Sequence, residues 1–344
     1  MRKLIRWGSG TALAGLAALI WLSPIVSLAD ITRQLWPISA LLALTLTALV
    51  WLPVPQPRSF RPRSRSASRI IAAVLLILVL LPALTPTWAM LRFRPNETPP
   101  AQAFTLTLVT HNLWGHYYDT EAARDVMLAS GADIIALQEA WNIERLERAG
   151  FRRAYPFATE CSASTRIYAR RAPLDTGCIR HGPATDWQNA SPCQLDLPPA
   201  SWARFAGPEG GVIHVVSVHM DWPNPFGVQD CERRNLASHL TRFPQDTLII
   251  AGDFNAADPS RALARFGEDF GLARLTYGLP TWPAEGRFGT DASGVATPLI
   301  GIDHVFAGEA VELLGRDRLA STGSDHRPVR VRLRIRPSSD GPDA

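Results

Sequence analysis

The sequence predicts an α/β domain that follows an N-terminal bundle of membrane-spanning helices. Three observations lead to this fold class. The first third of the chain holds long apolar runs, the rest alternates between strand-like and helix-like patterns, and several apolar strands end in acidic, amide or histidine side chains. Such strands occur in both halves of the second part, which indicates two sheets packed as a sandwich.

The formal net charge of +4 hides an uneven distribution along the chain. Of the 35 Lys+Arg and 31 Asp+Glu residues, residues 1–94 hold 11 and one, so residues 95–344 carry 24 and 30, a net charge of −6. Proteins that bind nucleic acid usually present a basic face. The acidic second part therefore argues against a dedicated nucleic-acid-binding surface, although carboxylate metal ligands contribute to its acidic count.

Three apolar segments in the first third are each about long enough to cross the hydrocarbon core of a bilayer as a helix. The segments cover residues 11–29, 36–54 and 70–91. None has a charge within its apolar centre, and tryptophans lie at or near their ends, as expected at a membrane interface: Trp21, Trp36, Trp51 and Trp88. We therefore predict a membrane anchor of three transmembrane helices within residues 1–94.

The distribution of positive charge predicts the orientation of this anchor. Arg2, Lys3 and Arg6 precede the first segment, and five arginines lie at residues 58–69, in the loop after the second. Both regions are expected in the cytoplasm, which predicts a multi-pass protein of the cell (inner) membrane with everything after about residue 92 on the periplasmic or extracellular side. Residues 27–29, Ser-Leu-Ala, also fit a signal-peptidase site, and cleavage there would leave two spans and the same sidedness.

The four cysteines agree with an exterior location. Cys161, Cys178, Cys193 and Cys231 all lie in the second part of the chain, and no C-x-x-C motif is present. An even number of cysteines in an oxidising compartment favours two disulfides over a zinc site. Of the three possible pairings we favour Cys161–Cys178 with Cys193–Cys231, because they are neighbours in sequence, and the alternative is four buried thiols.

The second part begins after a polar, proline-rich linker at residues 95–103. Alternating apolar residues or short apolar runs predict strands at residues 104–111, 133–138, 165–170, 201–206, 212–219, 247–252 and 328–336. Helical patterns predict helices at residues 120–130, 142–149, 229–241 and 259–266. Residues 172–200 are expected to form a loop, and residues 337–344 a disordered tail.

The predicted strands end in side chains that suit chemistry on a phosphate. Asp253 and Asn255 follow an apolar run, and alternation along a strand would place them on the same face. An acid that orients water, beside an amide that donates to a phosphate oxygen, suits phosphoryl transfer. Similar residues lie at or after the other apolar segments: Asn112, Glu139, His219, Asp303, Asp325 and His326. Each alone fits a cap or a turn, but capping does not explain acids, amides and histidines at so many strand ends.

Taken in order along the chain, these residues resemble those of one family. The motifs are Thr-His-Asn112-Leu, Leu-Gln-Glu139, Ser-Val-His219, Gly-Asp253-Phe-Asn255, Ile-Asp303-His and Ser-Asp325-His326-Arg-Pro-Val. They are similar to motifs of the endonuclease/exonuclease/phosphatase superfamily, metal-dependent phosphodiesterases that include DNase-like nucleases, neutral sphingomyelinases and inositol-polyphosphate phosphatases. The resemblance covers about residues 104–336 and implies a four-layer α/β sandwich, in which two mixed β-sheets are flanked by helices. Residues 220–223, Met-Asp-Trp-Pro, resemble membrane-anchored bacterial members.

The resemblance implies a metal site. Glu139 would be the principal ligand of a divalent cation, with Asn112 and Asp325 close by. Carboxylate and amide oxygens suit Mg²⁺, with Mn²⁺ as a substitute.

The resemblance also implies catalytic roles for the remaining residues. His326, oriented by Asp303, would contact the scissile phosphate. Asp253 would position or deprotonate the attacking water. Asn255 and His219 would bind the non-bridging oxygens as charge develops on them, and the displacement would be in line, without a covalent intermediate.

Three functions remain open at this point. The substrate of a membrane-anchored phosphodiesterase acting outside the cytoplasm is either nucleic acid or phospholipid, and net charge favours neither. The third is a catalytically inactive membrane scaffold on the same fold, but a scaffold would be free to lose Glu139 or His326 and this chain keeps both.

Overall fold

The computed structural model describes residues 2–23, 26–52, 63–92, 103–115, 117–161, 164–180, 191–224, 226–284 and 298–337. The chain divides into two compact units, which we describe separately. One comprises residues 1–91 and 257–261, and the other residues 92–256 and 262–344. The predicted linker at residues 95–103 and the predicted tail at residues 337–344 fall almost entirely outside the described residues.

The first unit is helical. Its helices are α1 (Arg2–Leu22), α2 (Ser27–Gln34), α3 (Trp36–Trp51) and α4 (Arg63–Arg92). Apolar side chains of α1, α3 and α4 form one buried cluster that includes Leu13, Ala43 and Val79. The Arg6 guanidinium donates to Ser68 Oγ (2.9 Å), which adds a polar contact between α1 and α4.

Among the described residues, one helix is both long and apolar enough to cross a membrane, at Leu4–Leu22. The apolar helices Trp36–Trp51 and Ser66–Pro82 are shorter. The first predicted segment, residues 11–29, spans parts of two helices: α1 ends at Leu22 and a separate helix begins at Ser27. A signal sequence would also contain one such helix, so the three-helix anchor stays a prediction and the helix lengths do not support a multi-pass protein.

The second unit is built on twelve strands within its described residues. They are β1 (Phe104–Asn112), β2 (Ile134–Gln138), β3 (Phe157–Ala158), β4 (Arg166–Ala169), β5 (Asp175–Ile179), β6 (Ala200–Ala206), β7 (Val212–His219), β8 (Leu248–Asp253), β9 (Ala273–Arg274), β10 (Asp303–Ala307), β11 (Val311–Arg318) and β12 (Val329–Ile335).

The strands form two mixed six-stranded sheets. The strand order is β11-β12-β1-β2-β4-β3 in the first sheet and β5-β6-β7-β8-β10-β9 in the second. Each sheet contains one parallel pair near its centre, β1 with β2 and β7 with β8, and its other pairs are antiparallel. Because the strands of a parallel pair end at the same edge, each sheet presents two carboxyl ends side by side.

Helices cover the outer faces of both sheets. They are α5 (Thr120–Ala129), α6 (Ile143–Arg148), α7 (Phe151–Ala154), α8 (Pro192–Leu195), α9 (Val228–Leu240) and α10 (Arg261–Phe270). Side chains of β1, β2, β7, β8 and β12 pack between the sheets, α5 to α7 pack on the first sheet, and α9 and α10 on the second. The layers are therefore helices, sheet, sheet and helices, as predicted.

The strands and helices predicted in the second part are all present, with ends that differ by a few residues. The loop predicted at residues 172–200 is wrong in part, because it contains β5 and α8. Among the described residues, strand β5 pairs with β6 alone, and a half-exposed edge strand needs no regular apolar pattern. Strands β3, β9, β10 and β11 and the short helix α7 are also absent from the predicted elements.

Two disulfides hold segments of the second unit together. They join Cys161 to Cys178 and Cys193 to Cys231, which confirms the favoured pairing. The bridges close loops with sequence separations of 17 and 38. Each stabilises the fold by about 3–4 kcal/mol, because it lowers the conformational entropy of the unfolded chain.

Candidate active site

The carboxyl ends of the two parallel strand pairs meet at one edge of the sandwich. In the first sheet β1 ends in Asn112 and Glu139 follows β2, and in the second sheet β7 ends in His219 and β8 in Asp253. Strand β10 starts at Asp303, directly opposite Asp253 in the antiparallel register. The topology therefore brings these five predicted residues to one place.

Asn112 connects the two sheets. Its Nδ2 donates to Glu139 Oε1 (3.0 Å) and to Asp253 Oδ2 (2.9 Å), and its Oδ1 accepts from the backbone N–H of Trp114 (2.8 Å). In this orientation the amide nitrogen faces the carboxylates. The metal-ligand role of Asn112 would require the amide to turn, and it stays a prediction.

His326 and Asp303 form a buried pair. Nδ1 of His326 lies 2.9 Å from Asp303 Oδ2, whereas its Nε2 lies 3.7 Å from Asp253 Oδ2 and 3.9 Å from Asp325 Oδ1, too far for hydrogen bonds. Burial lowers the pKa of His326, but the charges of Asp303 and Asp253 and the bond to Asp303 outweigh it and raise the pKa to about 10. The ring is therefore an imidazolium at neutral pH, with its Nε2–H among carboxylates.

Asp253 lies between the two histidines. His219 Nε2 is 3.7 Å from Asp253 Oδ2 and 3.8 Å from Glu139 Oε1. Burial raises the pKa of Asp253, and the charge of His326 opposes this shift. A buried carboxylate with a raised pKa accepts a proton more readily than an exposed one, which suits a general base.

Asn255 is not positioned by strand alternation, because β8 ends at Asp253. Its backbone has a φ of 46°, and its N–H donates to Asp253 Oδ1 (2.8 Å), as in an Asx turn. Its Nδ2 donates to the Met220 carbonyl (2.8 Å), and in the described structure its buried Oδ1 has no hydrogen-bond partner. The argument from alternation is thus wrong, while the predicted phosphate contact of Asn255 stays a prediction.

Trp282 belongs to the site and was missed by the sequence reasoning. Its Nε1–H donates to Asp325 Oδ2 (3.1 Å), and its ring meets Trp222 edge-on at a centroid distance of 5.9 Å. Only tertiary packing brings Trp282 to Asp325, 43 residues away, so no local sequence signal predicts the contact. The bond fixes one oxygen of the Asp325 carboxylate.

The remaining donor atoms fit a divalent cation. Asp325 Oδ1 and Asp303 Oδ1 are buried and have no hydrogen-bond partner within the described residues. Burial raises the pKa of Asp325, and the charge of Glu139 adds to this shift, while the charge of His326 and the hydrogen bond from Trp282 oppose it. Unpartnered carboxylate oxygens beside another acid form a set of hard ligands that Mg²⁺ or Mn²⁺ would stabilise.

A second grouping of possible ligands is Asp253, Asp303 and His326, whose donor atoms lie within 4.8 Å of one another. His326 could ligate a metal only through a deprotonated ring nitrogen. We describe this grouping as an acid–histidine cluster, and the ligand set of Glu139, Asn112 and Asp325 stays a prediction.

The backbone at the site is tightly constrained. Glu139 has a φ of 48°, and such left-handed conformations cost a non-glycine residue about 1–2 kcal/mol. Gly252, just before Asp253, approaches β7 so closely that an added Cβ would lie 1.8 Å from the Val218 carbonyl oxygen. The glycine of the Gly-Asp-Phe-Asn motif is therefore required for the parallel pairing that delivers Asp253.

Glu232 on α9 is a buried acid beside the loop that follows His219. It is 2% exposed, and its carboxylate accepts from the Asp221 N–H (2.9 Å). Burial raises the pKa of Glu232 from 4.5 to about 8, although the hydrogen bond from Asp221 opposes the shift.

We expect Glu232→Gln to increase the free energy of unfolding near pH 8 and to change it little near pH 4.5. The folded protein holds this proton more tightly than the unfolded chain. The stabilisation is therefore complete below pH 4.5 and is lost as the pH rises to about 8, by up to about 1.4 kcal/mol per pH unit. Denaturant titrations of the full chain in detergent at both pH values test this. The exposed Glu209→Gln is the control, and a stability difference that does not grow with pH would contradict the prediction.

The comparisons with known proteins agree with this geometry. The sequence model described as "Endonuclease/Exonuclease/phosphatase family" matches residues 109–326, which include all eight predicted site residues. A search of the curated proteins finds no match.

Two solved structures have the same fold. One is an endonuclease/exonuclease/phosphatase family protein from Bacteroides thetaiotaomicron, with 17% identity and a TM-score of 0.50, covering 69% of this chain and 100% of that one. The other is an endonuclease/exonuclease/phosphatase from Bacteroides vulgatus, with 16% identity and a TM-score of 0.53, covering 68% of this chain and 100% of that one. At these identities the likeness concerns the fold alone. Because the sequence model spans more than half of the chain, the protein belongs to the endonuclease/exonuclease/phosphatase family, whose members are hydrolases of phosphoester bonds.

Proposed function

We propose that the protein is a membrane-anchored, divalent-metal-dependent phosphodiesterase that acts outside the cytoplasm by in-line attack of water. The observation that carries the proposal is the junction of the two sheets at Asn112. There, acids for a cation, a buried carboxylate and an imidazolium lie within a few ångströms of one another.

Glu139 and Asp325 would hold the cation, Mg²⁺ or Mn²⁺, with Asn112 as the third predicted ligand. When bound, the cation would neutralise charge that develops on the phosphoryl oxygens. Trp282 keeps one oxygen of Asp325 in place and leaves the other without a hydrogen-bond partner among the described residues, which supports this assignment.

The buried cluster of Asp253, Asp303 and His326 would transfer the proton and stabilise the developing charge. Asp253 would take a proton from the attacking water, since burial raises its pKa. His326 would donate its Nε2–H to a non-bridging phosphate oxygen while Asp303 holds Nδ1 and keeps the ring charged. His219 and Asn255 would bind the other oxygens of the phosphate.

Two observations support action at a membrane and outside the cytoplasm. The apolar helix Leu4–Leu22 has the length and composition of a membrane span. The two disulfides suit an oxidising compartment.

The experiment that tests the function is hydrolysis of bis(p-nitrophenyl) phosphate by the full chain in detergent micelles. We expect release of p-nitrophenolate with Mg²⁺ or Mn²⁺, loss of the activity with EDTA, and recovery when excess Mg²⁺ is added back, because oxygen ligands bind these cations reversibly. Turnover that persists in EDTA would exclude the metal-dependent mechanism. No turnover with either metal would exclude the proposal that the protein is a phosphodiesterase.

A further inference from the structure

Exposed apolar side chains surround the candidate active site. Tyr117, Trp141, Trp222, Phe226 and Leu299 are each between 49% and 67% exposed. We call these five residues the aromatic rim. Large side chains of this kind normally bury their apolar surface, so a group of them at one place indicates an interaction surface.

The rim residues lie on the loops that begin or end at the site. The Tyr117 ring packs at a tilt of 41° against that of Trp114 (4.7 Å between ring centroids), whose backbone N–H donates to Asn112 Oδ1. A Cβ on Gly115 would lie 3.4 Å from the Trp141 ring and 3.6 Å from Glu139 Oε2, so that ring lies beside the Glu139 carboxylate.

On the other side of the site, Trp222 contacts Trp282, the partner of Asp325. The backbone N–H of Leu299 donates to the Trp282 carbonyl (2.9 Å). Phe226 lies on the same loop as Trp222, between β7 and α9. Elsewhere on the described part of the second unit, Leu174 is the only large apolar side chain this exposed (56%), and Phe157 is 37% exposed. The exposed apolar surface is therefore concentrated at the mouth of the site.

Charge on the same loops disfavours a polyanion. Their described residues, 113–115, 117–119, 139–142, 220–224, 226–227, 281–284 and 298–302, include three acids and neither arginine nor lysine. Binding to nucleic acid depends on cations that neutralise phosphates, and aromatic stacking on bases accompanies a basic groove. The exposed Asp119 and Asp221 would instead repel a chain of phosphates.

We infer that the aromatic rim contacts the head-group region of a lipid surface without net charge, and that the phosphodiester cleaved belongs to an amphiphile in that surface. This inference rests on the proposed phosphodiesterase function. Tryptophan and tyrosine favour the membrane–water interface, because the ring is apolar and one edge forms hydrogen bonds with water or head groups. The described residues of the loops that carry the rim include three acids and no arginine or lysine, and Arg145 of α6 lies over the Tyr118 ring (5.5 Å) as a neighbouring cation. This balance of charge fits zwitterionic lipid better than anionic lipid.

A pair of substrates with the same scissile bond tests the inference. Methyl p-nitrophenyl phosphate is soluble, and hexadecyl p-nitrophenyl phosphate partitions into the micelles that hold the full chain. In both, water adds to phosphorus, the P–O bond to p-nitrophenolate breaks, and an alkyl phosphate is released. The two esters differ only in the chain that an apolar surface would recognise.

We expect Phe226→Ser to lower kcat/KM for the hexadecyl ester by about tenfold and to leave the methyl ester within about twofold. Leu174→Ser, an exposed apolar residue outside the rim, is the control and should change neither ester. Equal losses on both esters, or no loss on either, would overturn the inference. Faster cleavage of a single-stranded oligonucleotide that depends on the rim would overturn it in favour of nucleic acid.

A second measurement does not depend on turnover. In nanodiscs of brominated phosphatidylcholine, bromine quenches the fluorescence of tryptophans that contact lipid. Trp141→Phe should reduce this quenched part of the emission, and Trp202→Phe, on β6, should not. An unchanged quenched component in Trp141→Phe would overturn the inference even in an active enzyme. If the wild type cleaves neither ester with Mg²⁺ or Mn²⁺, but the quenched fluorescence is smaller in Trp141→Phe, the proposed function is overturned. The inferred contact with lipid then still stands.

Discussion

Replacing His326 with glutamine should lower kcat for phosphodiester hydrolysis by about 10²–10³-fold. The substitution removes an imidazolium that lies 2.9 Å from Asp303 and has a pKa raised to about 10. Donors aimed at developing charge typically contribute factors of about 10²–10³, and positioned acids contribute similar factors. Hydrolysis of bis(p-nitrophenyl) phosphate at saturating Mg²⁺ measures the loss. A rate within about tenfold of wild type would remove His326 from the mechanism.

The fold must be monitored in the same experiment. Asp303 is fully buried, so His326→Gln leaves a buried carboxylate without its partner, which can cost about 3–5 kcal/mol. The double variant Asp303→Asn/His326→Gln removes both charges and should recover thermal stability without recovering activity. Recovery of activity in the double variant would show that the single substitution had acted through stability.

The single variant Asp303→Asn adds a pH test. In the wild type the imidazolium persists up to the raised pKa of about 10, so the activity that depends on it is lost only as the pH rises through that value. Without the Asp303 charge the pKa of His326 falls, and activity should be lost at a lower pH. An unchanged alkaline limb of the pH profile would contradict the role of Asp303.

Glu139→Gln should produce the second large effect, a loss of activity of at least about 10³-fold together with weaker binding of the divalent cation. The two side chains have nearly the same shape, but the amide lacks the charge that holds a hard cation. Activity against Mg²⁺ concentration and calorimetric titration with Mn²⁺ measure the two effects. Glu144→Gln, an exposed acid on α6, is the matched control and should change neither. An unchanged metal affinity in Glu139→Gln would remove it from the ligand set.

The sequence predicted seven inner strands of the two sheets but missed the four edge strands β3, β5, β9 and β11, and also the buried inner strand β10. Residues 134–138 and 248–253 are apolar and fully buried, so their pattern alone identifies them as strands. The edge strand β5 contains Asp175 and Gly177 and is only partly buried, so it has no comparable pattern. The order of the strands depends on long-range pairing, which no local pattern contains.

The residues of the site were predicted from their positions after strands and from the resemblance, but their orientations were not. Asn112 turns its nitrogen toward the carboxylates because the Trp114 N–H occupies its oxygen. Asn255 leaves the strand through a turn with a positive φ. Trp282 reaches Asp325 only in the folded protein. Each orientation is fixed by a partner distant in the chain or by a backbone turn, so residue type and spacing could not predict it.

The junction at Asn112 links catalysis to the packing of the two sheets. Asn112 and Glu139 come with one sheet and Asp253 and His219 with the other, while Gln138 Nε2 donates to Ser217 Oγ (2.9 Å) across the same buried boundary. A small slip between the sheets would separate the two halves of the site, yet leave every strand and helix intact. The proposed activity should therefore depend on the alignment of the two sheets, and on gradual denaturation it should be lost before the far-ultraviolet circular dichroism changes.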